Sequence, residues 1–123
     1  MPYSYTIDGR IVRVAWHGVV AKEDLESFGA AMPQVGRSLG FAPDVLHTFD
    51  GVTGHSFQPI AAYLYSLLQK RERIPNPVRA AIIATDRQGM ALAKVFTTLN
   101  RTRNLEMRIF ADEPSARSWL EQK

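Results

Sequence analysis

Residues 78–85 read Val-Arg-Ala-Ala-Ile-Ile-Ala-Thr, and this stretch constrains the fold more than any other. Ala80 to Ala84 are consecutively apolar, far too short a run to cross a bilayer. A strand with one wet face would alternate; this one does not. It reads as a strand covered on both faces, the mark of a parallel sheet with helices packed over it.

The remaining pattern supplies those helices and the other strands. Tyr3, Tyr5 and Ile7 alternate with Ser4 and Thr6, the period of a half-buried strand. Asp8-Gly9 is a favoured two-residue hairpin turn. The return strand runs from about Arg10 to His17, with Val12, Val14 and Trp16 on one face and Gly18 closing it. Lys22-Glu23-Asp24 opens a helix with the apolar stripe Leu25, Phe28, Met32 and Val35. Pro33 is expected to kink or end that helix, and Gly36 and Gly40 to mark a loop. Val45 to Asp50 is a short strand.

A second helix, from about Ser56 to Arg73, spans roughly 27 Å at ~1.5 Å per residue. Phe57, Ile60, Ala61, Leu64, Leu67 and Leu68 share one face, flanked by Tyr63 and Tyr65; Pro75 and Pro77 end it. Asp86 caps a third helix with the stripe Leu92, Val95, Phe96 and Leu99. Met107 to Ala111 is the last strand. Asp112 caps a short final helix that tolerates Pro114 in its first turn and turns Ala116, Trp119 and Leu120 inward. The order ββαβαβαβα implies an α/β fold: a mainly parallel sheet of about five strands with an N-terminal hairpin, right-handed crossovers, and helices largely on one face.

Composition narrows the classes. A chain of 123 residues, 46% apolar and 22% charged, is expected to form one soluble domain over residues 1–123. With no cysteine, disulfides, thiol catalysis and thiolate metal sites are excluded. Asp8 and Arg10 within the first ten residues argue against a signal peptide, so the expected location is cytoplasmic. The net charge of +3 is mild. Lys70, Arg71, Arg73 and Arg79, then Arg101, Arg103 and Arg108, fall largely where helices should end and complement their dipoles. An anionic partner is the alternative reading. No basic stripe interleaved with aromatics points to nucleic acid.

The candidate site is the stretch from Leu46 to Phe57. It reads as a strand stopping at Asp50, a turn rich in hydroxyls and glycines, and the start of the long helix. In open α/β sheets ligands and partners dock at the mouths of such strands. Asp50, Thr53, Gly54, His55, Ser56 and Phe57 are therefore the candidate binding residues. Ser56 fits the N-cap of the long helix; a phosphate on Ser56 or Thr53 would equally sit at a helix N-terminus that favours an anion.

Taken together the elements resemble the STAS/SEC14-like, or SpoIIAA-like, group. The resemblance rests on the opening hairpin, Gly18-Val19-Val20, Asp50-Gly51-Val52-Thr53, Val78 to Ala84, Ala91 to Phe96, Arg108 to Glu113, and Ala116 with Trp119-Leu120. It implies a small βα superhelix that serves as a non-enzymatic regulatory or ligand-binding module. Anti-sigma-factor antagonists of this kind carry a phosphorylated serine in an Asp-Ser-Ser-Gly turn; here the corresponding residues are Thr53-Gly54-His55-Ser56.

Other chemistries leave weaker marks. Gly54-His55-Ser56-Phe57-Gln58 approaches a nucleophile elbow, but Gln58 replaces the second glycine and no histidine follows Ser56. His17, His47 and His55 lack metal-ligand spacing, and His17 and His47 are expected to be satisfied or partly exposed histidines. No glycine-rich fingerprint calls for a nucleotide, so no cofactor is expected. The face of the long helix fits core, a surface for self-association, or a ligand pocket. The leading expectation is a regulatory or protein-interaction module whose partner is another protein or a second copy. The alternative is a carrier or sensor of a small apolar or anionic ligand.

Overall fold

In the computed structural model, which describes residues 3–56, 74, 76–99 and 104–122, five strands lie side by side in sequence order. They are β1 (Tyr3–Asp8), β2 (Ile11–Val20), β3 (Asp44–His55), β4 (Val78–Ile83) and β5 (Leu105–Phe110). β1 runs antiparallel to β2, and every later neighbour is parallel. Three helices follow strands among the described residues: α1 (Lys22–Leu39), α2 (Arg87–Leu99) and α3 (Glu113–Leu120). The helix expected over 56–73 lies outside the described residues apart from Ser56, as do Arg101 and Arg103.

The hairpin loop is Gly9-Arg10, one residue later than the sequence reading, because Asp8 pairs with Ile11. Gly9 has φ 62° and Arg10 is not among the positive-φ residues. That is the pattern of a turn needing glycine only at its first central position.

Strand parity then sorts two cores. Tyr3, Val12, Val14, Trp16, Val45, Phe49, Ala80 and Ile82 meet Leu25 and Val35 of α1 and Leu92 and Ala93 of α2. On the opposite face Leu46, Ala81 and Ile83 meet Ala116, Trp119 and Leu120 of α3. α1 and α2 thus share a face, as expected, while α3 covers the other. This is why β4 is buried at every position but Arg79.

α1 does not end at Pro33, one of the two outcomes expected for it. The helix continues past it to Leu39 and ends at Gly40, whose φ of 82° is left-handed; Gly36 lies inside the helix. A mid-helix proline costs about 3 kcal/mol, but Val35, Met32 and Leu39 carry the apolar stripe across it into the core. Packing on both sides of the proline outweighs one absent hydrogen bond. At the other end, the Asp24 carboxylate accepts from the Ala21 amide at 2.7 Å.

The starts of α2 and α3 are as the sequence suggests. Asp86 Oδ1 accepts from the Gly89 amide at 2.7 Å. Replacing Asp86 by alanine should cost about 1 kcal/mol, read as a lower urea midpoint with an unchanged slope. Asp112 Oδ1 accepts from Ser115 N at 2.7 Å, which holds its carboxyl below the usual carboxylate range.

α3 is tied across the sheet. Arg117 reaches Asp8 and Glu113, both at 2.9 Å, and Arg13 reaches Glu113 at 2.7 Å. Arg79 and Arg108 lie on strands rather than at helix ends, and their guanidinium groups stack over the Trp119 ring at 5.0 and 5.1 Å. No helix among the described residues is long and apolar enough to cross a membrane.

Candidate functional site

Among the described residues β2 and β3 outrun the rest of the sheet. The last rung between β1 and β2 is Tyr3 with Trp16, and the last between β3 and β4 is Thr48 with Ile83. Beyond those rungs His17 pairs with Gly51, Gly18 with Val52, Val19 with Gly54 and Val20 with His55, across two register breaks. The Ser56 amide continues the ladder, donating to the Val20 carbonyl at 3.0 Å. Among the described residues the result is a two-stranded parallel ribbon rising from the carboxyl end of the sheet.

This overturns two expectations. β3 does not stop at Asp50, and Asp50 to His55 is strand rather than turn; likewise Gly18 does not close β2. Gly51 is there for close approach and Gly18 for its backbone angle. A Cβ on Gly51 would stand 2.9 Å from the Trp16 carbonyl oxygen and 3.1 Å from His17 Cβ, and Gly18 takes φ 72°. Glycine inside a strand marks a bulge or a near neighbour, and Val19, Val20, Val52 and Thr53 supply the β-branched residues that keep the segment extended.

Two residues anchor the ribbon and most of the others are exposed. Val20 and Val52 are buried in the core. Val19 is 57% exposed, and His17, Thr53, His55 and Ser56 are exposed with it. Gly54 is half-buried, and Phe57 lies outside the described residues. Asp50 has a structural task at the base: its Oδ1 accepts from the Thr85 amide at 3.1 Å and from Thr85 Oγ1 at 2.9 Å. It thereby ties the root of the ribbon to the end of β4. α2 presses on the same corner, with Gly89 close under the Phe49 carbonyl.

The three histidines are dispersed. His17 and His55 sit on the ribbon, whereas His47 is only 2% exposed. Trp16, Phe28, Phe49 and Phe96 surround the His47 ring at centroid distances of 6.2, 5.3, 5.9 and 6.4 Å. Trp16 Nε1 donates to His47 Nδ1 at 3.0 Å. Indole nitrogen only donates, so Nδ1 is the acceptor and the neutral ring carries its proton on Nε2. Burial pushes the His47 pKa down to about 3. Among the described residues no cluster of three potential metal ligands forms.

Sequence reasoning missed one further feature, an open groove of about 730 Å³ at the starts of β3, β4 and β5. Arg10 lies over the Phe41 ring at 4.0 Å on its wall. Asn76 clamps Ala42 through two 2.9 Å bonds, and Asp44 Oδ1 accepts from the Arg79 amide. The Asn76-Pro77 dipeptide carried the local signal, but its clamp joins residues 34 apart.

No protein-family model matches the chain, and no curated protein matches it either. Among solved structures it is similar to an uncharacterized protein of the DUF3478 family with a SpoIIAA-like fold, from Shewanella loihica PV-4. The two share 18% identity at a TM-score of 0.57, over 96% of this chain and 91% of the other. The fold is SpoIIAA-like, as the hairpin and the order of elements implied.

Proposed function

We propose that residues 1–123 form a single, non-catalytic cytoplasmic regulatory module that docks another protein through the β2–β3 ribbon. The observation that supports this most is the exposure of Val19, 57%, on a ribbon that stands clear of the other described strands. Val19 is an exposed apolar side chain on a ribbon that also exposes His17 and Thr53, the mix of apolar and hydrogen-bonding groups found in a small recognition patch. The ribbon is held from behind by Val20 and Val52 and at its root by Asp50, so little ordering is needed on binding.

A photo-crosslinking residue at position 19 in the cell of origin tests the reading. The expected result is a discrete adduct that disappears when Thr53 is replaced by arginine and is not formed from position 111. Equal adducts from both positions would sink it. Thr53 and Ser56 are also the candidate phosphosites. A phosphate there would add nearly two negative charges to the rim of the patch. Intact mass of protein from its own cell should then show an 80 Da increment, about one phosphate group; an unmodified mass under all growth states removes the switch while leaving the docking surface.

The groove supports a second reading, a carrier or sensor of SEC14-like type. A volume of about 730 Å³ suits a small ligand, and Arg10 over Phe41 presents a cation beside an aromatic surface. Thermal-shift screening against anionic lipids and nucleotides separates the two: saturation at a hundredfold over Kd should add about 2.7 kcal/mol.

A further inference from the structure

The two edges of the sheet are treated differently. On β5 the residues Glu106 and Arg108 are both exposed, 3.9 Å apart, and put alternating charge along that edge. Charge of this kind resists pairing with a foreign strand. β1, at the other edge, is Tyr-Ser-Tyr-Thr-Ile-Asp. It has six unbroken rungs to β2, no bulge and no proline. Its single charge, Asp8, is the terminal residue and is already paired with Arg117 at 2.9 Å.

Backbone polarity makes this edge specific. The pair closing a two-residue hairpin, here Asp8 with Ile11, exchanges both hydrogen bonds. Alternation along an antiparallel ladder then turns the N–H and C=O groups of Ser4, Thr6 and Asp8 toward β2. Those of Tyr3, Tyr5 and Ile7 point outward. Tyr5 and Ile7 are 42% and 49% exposed, two of the three large exposed hydrophobics among the described residues. They lie on the same face as buried Tyr3, which α1 covers through Phe28 and a 3.0 Å bond to Ser27. Outward backbone groups and uncovered apolar side chains thus belong to the same residues.

We propose that β1 pairs antiparallel with β1 of a second copy of this chain, about a twofold axis at Thr6, fusing two sheets into one. The strand is self-complementary in this register. Tyr5 meets the second copy's Ile7 and Ile7 meets its Tyr5, two aromatic–β-branched pairs of the kind that stabilise sheets. Ser4 meets Asp8, a hydroxyl opposite a carboxylate, and Thr6 meets Thr6. No like charges face each other. A twofold at Tyr5 would instead stack Tyr5 on itself and leave Asp8 outside the pairing. The interface is short, so association is weak and grows with concentration.

Light scattering across a concentration series of the full chain should show mass rising from monomer toward dimer. Hydrogen exchange should show concentration-dependent protection of the Tyr5 and Ile7 amides, with Ser4 and Thr6 protected throughout. Ile7→Pro removes an outward donor and no β1–β2 bond, a position where an edge strand accepts proline. It should stay monomeric with native circular dichroism. If Ile7→Pro fails to fold, Tyr5→Lys serves, placing two cations into the apolar pairs, and should abolish the dimer. A chain that stays monomeric to its solubility limit overturns the proposal, as does a dimer insensitive to the folded variant, which would use another surface.

Discussion

Between pH 7 and pH 4 the protein is expected to lose about 3 kcal/mol of stability through His47 alone. The sign follows from where the proton goes. Unfolded, the imidazole takes a proton near its model value of 6.5; folded, burial holds it neutral until about pH 3. The unfolded state therefore binds the extra proton across that window, and stability falls by about 1.4 kcal/mol per pH unit once the pH is well below 6.5. Phenylalanine at position 47 should flatten this dependence, because it keeps a ring among Trp16, Phe28, Phe49 and Phe96 but cannot be protonated. It also strands the Trp16 indole N–H, which at pH 7 should cost about 1–3 kcal/mol. The variant is thus weaker than the parent at neutral pH and nearly its equal at pH 4. Urea midpoints for both proteins at the two pH values check this; parallel losses would assign the acid sensitivity to other groups.

The second large effect concerns Gly89. Glycine to alanine inside a helix ordinarily stabilises by roughly 0.5–1 kcal/mol. At Gly36 of α1 the added Cβ would meet nothing nearer than the Phe41 carbonyl oxygen at 3.5 Å, so Gly36→Ala should show that gain. At Gly89 the same Cβ would lie 2.8 Å from the Phe49 carbonyl oxygen and 3.0 Å from Asp86 Oδ1. Neither group can retreat freely, since Phe49 is in the strand core and Asp86 caps α2. Gly89→Ala should therefore destabilise by about 1–3 kcal/mol, the usual cost of overpacking. Opposite shifts in Tm for the two substitutions are the expected signature. A gain at Gly89 would mean that α2 does not press on β3 as described.

What was legible in the sequence is what local patterning encodes. The apolar run at Val78–Ala84 announced a doubly covered strand, and β4 is one. The alternation of Tyr3–Ile7 and Val12–Trp16 announced the hairpin, and Asp86 and Asp112 announced two helix starts. The errors came where distant contacts decide. Asp50-Gly51 and Gly54 look like a turn from within the segment. Only the Trp16 carbonyl, a different strand's, shows why Gly51 must lack a side chain. Pro33 looks like a kink or a stop, and that it is not a stop shows only once the stripe on both sides of it is seen to be packed. His47 shares the parity of Val45 and Phe49, so its inward direction could be read; its bond to Trp16 spans 31 positions and could not.

The strand order β1-β2-β3-β4-β5 never doubles back. Doubly wound sheets bind their ligands in the crevice that opens where the order reverses and successive connections part to opposite faces. A sheet laid down in one direction offers no such cleft. Among the described residues the carboxyl end carries instead the ribbon of β2 and β3, so the proposed docking would invert the usual geometry: the partner would supply the hollow.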